Sequence, residues 1–185
     1  MDEDMRKTGN SGMSLVELLV VIALMAVIIG ITGYGLGLVS NKPVDECAKK
    51  IETVLNRNRT NSMGKKEAWV EFFLDGANHN RVSFREHMVT ARESDSGTAP
   101  SANAALAIGA DGVKVRMTYK DGSWEELGNA SRRISFRRDS GTLEGDPTND
   151  GKICVKIEVY KGEYSTATHI RVVELDELTG KVTLK

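Results

Sequence analysis

Apolar and polar positions divide the chain into three regimes. Residues 1–12 are polar and carry Asp2, Glu3, Asp4, Arg6 and Lys7. From Leu18 to Val39 no residue is charged, a run of 22 residues. From Pro43 onward charges are interspersed throughout. As a helix rising ~1.5 Å per residue, the uncharged run reaches about 33 Å, against a bilayer hydrocarbon core of about 30 Å. It is long enough to span a membrane, and it lacks the polar face of a soluble surface helix.

Periodicity then separates a second helix from a strand-rich remainder. Val44, Cys47, Ala48, Ile51, Val54 and Leu55 recur at helical spacing, leaving Lys49, Lys50, Glu52 and Arg57 to face water. Ser40 or Asn41 before Pro43 reads as a helix start, with Asp45 and Glu46 near its positive end, and Gly64 reads as a stop. Beyond it the pattern predicts strands at 68–74, 81–91, 113–119, 123–127, 132–138, 153–160, 168–175 and 181–184. Asp121-Gly122 would turn the third and fourth into a hairpin. The Ser/Ala/Gly/Pro-rich stretch 93–105 reads as an exposed loop. The expected fold is α+β: a long N-terminal helix, transmembrane in its first half and amphipathic in its second, packed on a largely antiparallel sheet. The segments are 1–12, 13–39, 40–64 and a globular part at 65–185.

A cleaved secretory signal has a shorter apolar stretch followed by its cleavage site. Here Ser11-Gly12 precedes the apolar stretch, and Glu17 sits inside its front end. The run Gly12-Met13-Ser14-Leu15-Val16-Glu17-Leu18-Leu19-Val20-Val21-Ile22-Ala23 resembles the prepilin signature of type IV pilins and type II secretion pseudopilins. That signature is Gly, a hydrophobic residue, Ser or Thr, two apolar residues, Glu, then an apolar helix.

The resemblance implies a prepilin peptidase cutting between Gly12 and Met13 and methylating the new Met13 amine. Met13 stands where the family usually has Phe. The resemblance also assigns Glu17 to assembly, where it would neutralise the N-terminal amine of a neighbouring subunit. A carboxylate in an apolar segment is costly without a partner, which points the same way. The other reading of Glu17 is an interfacial side chain near lipid headgroups.

Lys and Arg on the flanks do not favour a cytoplasmic leader, since Arg6 and Lys7 face Lys42, Lys49, Lys50, Arg57 and Arg59. The family pattern places the leader in the cytoplasm and the C-terminal domain outside. The protein would first sit in the cytoplasmic membrane as a single-pass subunit, then in a filament at the surface or in the envelope. Implied partners are other pilins, the peptidase, and an assembly platform with its ATPase. Asn56-Arg57-Asn58-Arg59 running into a strand, and the final Thr-Gly-Lys-Val turn, resemble the minor pilins and pseudopilins of the filament tip.

Gly30, Gly33, Gly35 and Gly37 crowd the second half of the apolar run. They would form a locally extensible stretch or a flexible link to the folded part. The whole chain holds 25 Lys+Arg and 26 Asp+Glu. Without residues 1–12, which hold Arg6, Lys7, Asp2, Glu3 and Asp4, the counts are 23 and 23. That balance gives no general reason to expect a polyanionic partner.

Locally, Arg132, Arg133, Arg137 and Arg138 form a basic stretch. On a strand it could meet nucleic-acid phosphates, as a DNA-contacting or adhesive tip subunit would, or it could be a solvated face balanced by Glu125, Glu126 and Asp139. Asp146, Asn149 and Asp150 form an oxygen-rich segment that reads as a hairpin turn or a calcium loop, without EF-hand spacing. Cys47 and Cys154 are either one long-range disulfide or two buried thiols. His79, His87 and His169 are scattered, and no nucleophile or metalloprotease motif is present. The expected role is structural, with neither cofactor nor catalysis. An unrelated single-pass extracytoplasmic protein is the remaining alternative.

Overall fold

The computed structural model describes residues 14–64, 67–78, 80–89 and 104–185, without side-chain detail at 28–40, 67, 78 and 89. The proposed scissile bond between Gly12 and Met13, and most of the 93–105 loop, lie outside the described residues. Two compact units are present, Met1–Ser40 and Asn41–Lys185.

Helix α1 runs from Leu15 to Gly64, ending at the expected glycine. Helical backbone continues through Pro43, as the expected long N-terminal helix requires, so the start signals at Ser40–Pro43 do not begin a separate helix. Proline's fixed φ suits a helix, and its missing N–H removes one backbone bond without forcing a break at this position.

In the second unit, all six apolar residues singled out by helical spacing are buried, and Asn58 and Ser62 extend the same face. Burying a large aliphatic side chain such as Ile51 or Leu55 contributes about 1.5–3 kcal/mol. This stripe shares one core with two antiparallel sheets.

The first sheet contains β1 (Glu67–Asp75), β2 (Arg81–Val89), β3 (Leu106–Ala107), β6 (Arg132–Phe136) and β7 (Leu143–Glu144), in the order β3-β2-β1-β6-β7. The second contains β4 (Val113–Tyr119), β5 (Trp124–Glu126), β8 (Cys154–Lys161), β9 (Arg171–Leu175) and β10 (Val182–Leu184), in the order β10-β9-β8-β4-β5. Alternation is clearest in β4, where Val113, Val115, Met117 and Tyr119 are buried and the residues between them are half-buried.

The hairpin expected at Asp121-Gly122 forms, with Gly122 at φ 82° and the Asp121 carboxylate accepting the Ser123 amide at 2.8 Å. Two strands were not predicted, β3 and β7. Each has two residues, too few to show a period of two.

Two predicted strands are shorter than expected. The 132–138 strand stops at Phe136, where the chain enters a tight turn closed by the Gly141 amide on the Arg137 carbonyl and the Arg137 amide on the Thr142 carbonyl, both 2.8 Å. The 168–175 strand begins at Arg171, after a 3-10 turn at Tyr164–Thr166.

Polar residues at the end of α1 fasten the helix to both sheets. Arg57 faces water as expected, and its guanidinium also pairs with the buried Glu86 of β2 through contacts of 2.8 and 2.9 Å. Glu52, likewise expected outside, accepts the Leu184 amide at 3.3 Å. Arg59 donates to the carbonyls of Gly141 (3.2 Å) and Thr179 (2.7 Å). Those carbonyls belong to the β6–β7 and β9–β10 turns, one from each sheet. Asp45 accepts hydrogen bonds from His169 and Arg171.

Cys47 and Cys154 are free and buried, so the structure takes the two-thiol alternative. Burial pushes both thiols up to about 12, which keeps them protonated at neutral pH.

The two turns meet at Gly180, which has φ 63° and lies where an added Cβ would collide with the Gly141 carbonyl. Gly122 also has positive φ, but an added Cβ there meets open space. Gly180→Ala is therefore expected to destabilise the fold by ~2–4 kcal/mol, and Gly122→Ala by only about 1 kcal/mol. Urea unfolding of the two variants measures the difference, and equal midpoints would contradict the close packing of the turns.

Candidate functional site

The first unit presents the feature most at odds with water. Every large apolar residue from Leu15 to Val27 is exposed, including Leu15 at 78% and Ile22 at 60%. Successive helical residues step round the axis by about 100°, so consecutive exposed residues such as Leu18, Leu19, Val20 and Val21 cover all sides of the rod. A patch of this extent needs lipid or other apolar surfaces around it.

Glu17 is exposed and lies in the first turn of α1, beginning just after Ser14, whose carbonyl accepts the Leu18 amide at 3.1 Å. A carboxylate here is favoured by the unpaired N–H groups of a helix N-terminus. Among the described residues no helix is long and apolar enough to cross a membrane. The expected span Leu18–Val39 includes residues 28–39, whose side chains are outside the described set.

Residues 7–33 match the family described as "Prokaryotic N-terminal methylation motif". The matched segment is the one whose residues carry the resemblance to type IV pilins and pseudopilins. The match contains Gly12, Met13 and Glu17 and covers the front of the exposed apolar rod. A crystal structure of the type IV minor pilin FimU of Pseudomonas aeruginosa is similar at 12% identity with a TM-score of 0.47, covering 80% of this chain and 92% of that one. No curated protein matches the chain.

The basic stretch does not stay together. Arg132 turns to Glu125 and engages both carboxylate oxygens, one through Nη2 at 2.7 Å and the other through Nε. Tyr119 also donates to Glu125, and Asn149 Nδ2 does so at 3.2 Å. The Arg132 hydrogen bond holds the Glu125 carboxyl below its usual range, and burial with the Glu125 contact pushes the Tyr119 phenol up. Arg132 is thus committed within the fold. Arg133 stacks on Trp69, and Arg137 and Arg138 are exposed at the turn after β6.

Asp146 is buried and organises its own loop. One carboxylate oxygen accepts the Thr148 amide (2.8 Å) and hydroxyl (2.6 Å), and the other accepts the Arg133 amide (2.9 Å). Asp150 takes a positive φ of 52° beside Gly151. Asp146, Asn149 and Asp150 therefore build a turn, and among the described residues no cluster of acidic, His and Cys side chains is arranged to hold a metal ion. The Asp146 framework is a tertiary contact that sequence spacing alone does not reveal.

The lowered carboxyl of Glu125 has a consequence for acid stability. A group ionising more readily when folded stabilises the fold above its unfolded value, here near 4.5, and loses that contribution as pH falls through the folded value. Arg132→Met is expected to lower stability at pH 7 by ~1–3 kcal/mol, with the difference from wild type narrowing below pH 4. Urea midpoints between pH 2 and 7 check this. A pH-independent difference would remove the Glu125 assignment.

Proposed function

We propose that this chain is a structural subunit of a type IV pilus or type II secretion-like filament, a minor pilin or pseudopilin. The observation that carries this reading is a helix exposed and apolar on every side, with one acid in its first turn, inside the matched N-terminal motif. A soluble enzyme has no use for such a rod. A subunit that moves from lipid into a helical bundle needs one, because apolar contacts with sister helices replace those with acyl chains.

In this reading residues 1–12 are the leader, and prepilin peptidase cuts between Gly12 and Met13 and methylates Met13. The segment Leu18–Val39 holds the subunit in the cytoplasmic membrane with residues 41–185 outside. An assembly platform and its ATPase then draw it into the filament among other pilins. Glu17 pairs with the Met13 amine of a neighbour. In low dielectric that pair is strong at short range and lost on slippage, so it sets axial register. The globular unit supplies the outer surface of the filament. Its helix anchorage through Arg57 and Arg59 keeps that surface attached when the rod is pulled.

Mass spectrometry of protein from cells is expected to find a chain beginning at methylated Met13, and retention of residues 2–12 would overturn the proposal. Glu17→Ala should be cleaved normally yet enter filaments at least about a hundredfold less, since an amine left unpaired in an apolar bundle costs ~3–5 kcal/mol. Filament fractions sheared from cells and immunoblotted give the ratio. Undiminished incorporation would remove the role assigned to Glu17.

A further inference from the structure

An open groove of about 770 Å³ runs along β6 and the turn that follows it, with Arg133, Ser135, Arg137 and Arg138 on its walls and Asp139 and Glu144 among its acidic lining. Most other arginines of the unit are held by carboxylates or carbonyls, while Arg85 and Arg116 lie on aromatic rings. Arg57, Arg81, Arg132 and Arg171 are paired with carboxylates, and Arg59 is held by two carbonyls. Among the described residues Arg133, Arg137 and Arg138 make no ion pair within the 4.0 Å of a salt bridge, in a chain whose charges otherwise nearly cancel.

Two buried donors in the same wall also lack protein partners, the Arg133 Nε and the hydroxyl of Ser135, a residue only 2% exposed. An unsatisfied buried donor is costly unless something relieves it. Arg133 is also held in place: its guanidinium lies 4.0 Å from the centre of the Trp69 ring, and His87 stacks on that ring at 4.8 Å with planes 5° apart. His87 is in turn fixed by Glu71 at 3.1 Å.

We propose that this groove is a binding site for a single phosphate group carried by a small molecule. Guanidinium groups present planar forks of N–H donors that match the oxygens of a tetrahedral oxyanion, and a stacked guanidinium loses little freedom on binding. Three guanidiniums and a hydroxyl suit one dianionic head. Asp139 and Glu144 oppose a long polyanion, whose further phosphates would lie against them. The geometry therefore selects a discrete phosphate over a nucleic-acid strand or an anionic lipid surface.

The test uses the full chain in a non-ionic detergent, carrying Trp124→Phe so that Trp69 is the sole remaining tryptophan of two. Trp124 is 57% exposed, so its replacement leaves the core intact. Inorganic phosphate and glycerol phosphate are titrated at fixed ionic strength, followed by Trp69 fluorescence and by calorimetry. The expected result is saturable one-site binding, weakened ~10-fold by Arg137→Ala and again by Arg138→Ala, with unfolding midpoints unchanged. Absence of saturable binding in both measurements would overturn the site, as would affinity unaffected by the two substitutions. Salt-sensitive binding of a single-stranded oligonucleotide or of phosphatidylglycerol vesicles that phosphate does not compete away would replace it with a polyanion surface. None of these outcomes depends on cleavage or filament assembly, so the site stands or falls separately from the structural role.

Discussion

The structure depends on one helical segment meeting two different surroundings. At Leu15–Val27 the large apolar side chains point in every direction and are exposed among the described residues. At Val44–Ser62 a single stripe is buried while Lys49 and Lys50 stay in water. The backbone geometry is the same, and only the angular distribution of apolar side chains differs. An all-round apolar rod is stable in lipid or among other rods, whereas a one-sided rod is stable on a sheet. The proposed localisation and assembly rest on that contrast. The first part cannot remain alone in water, and the second cannot leave the globular unit without exposing its core.

The hold of the second part on the sheets combines packing with a few directed contacts. The apolar stripe supplies most of the driving force but is non-directional, and could tolerate a slide along the sheets. The Arg57–Glu86 pair and the two carbonyl bonds from Arg59 are directional, and they restrict such a slide. Arg59 reaches one turn from each sheet, and Gly180 lets those turns approach closely enough to share it. Stability and alignment thus come from different residues on one helix.

The Arg132–Arg138 stretch shows how a charge run divides once folded. In sequence the four arginines are equivalent. In the fold Arg132 is drawn to Glu125, Arg133 is laid on an indole, and Arg137 and Arg138 fall in a turn. The same region supplies the Asp146 loop, whose carboxylate is engaged by Thr148 and the Arg133 backbone. Its oxygen-rich composition reflects a turn that must satisfy its own amides, since buried N–H groups need acceptors.

The helix, its end at Gly64, the six buried stripe residues and most strands were legible from the sequence, because they follow from short-range periodicity that each segment carries alone. The N-terminal motif was legible for the same reason, being contiguous from Gly12 to Ala23. Strand boundaries at Phe136 and Arg171, and the pairs β3 and β7, were not, since they depend on turns and pairing partners rather than on local alternation. One long helix through Pro43 was expected, although the local signals at Ser40–Pro43 also resemble a start. The partners of Glu52, Arg57, Arg59 and Arg132, the free state of Cys47 and Cys154, and the groove beside β6 were decided by tertiary structure alone. Side-chain charge is written in the sequence, but which charges are neutralised depends on residues brought together from across the chain.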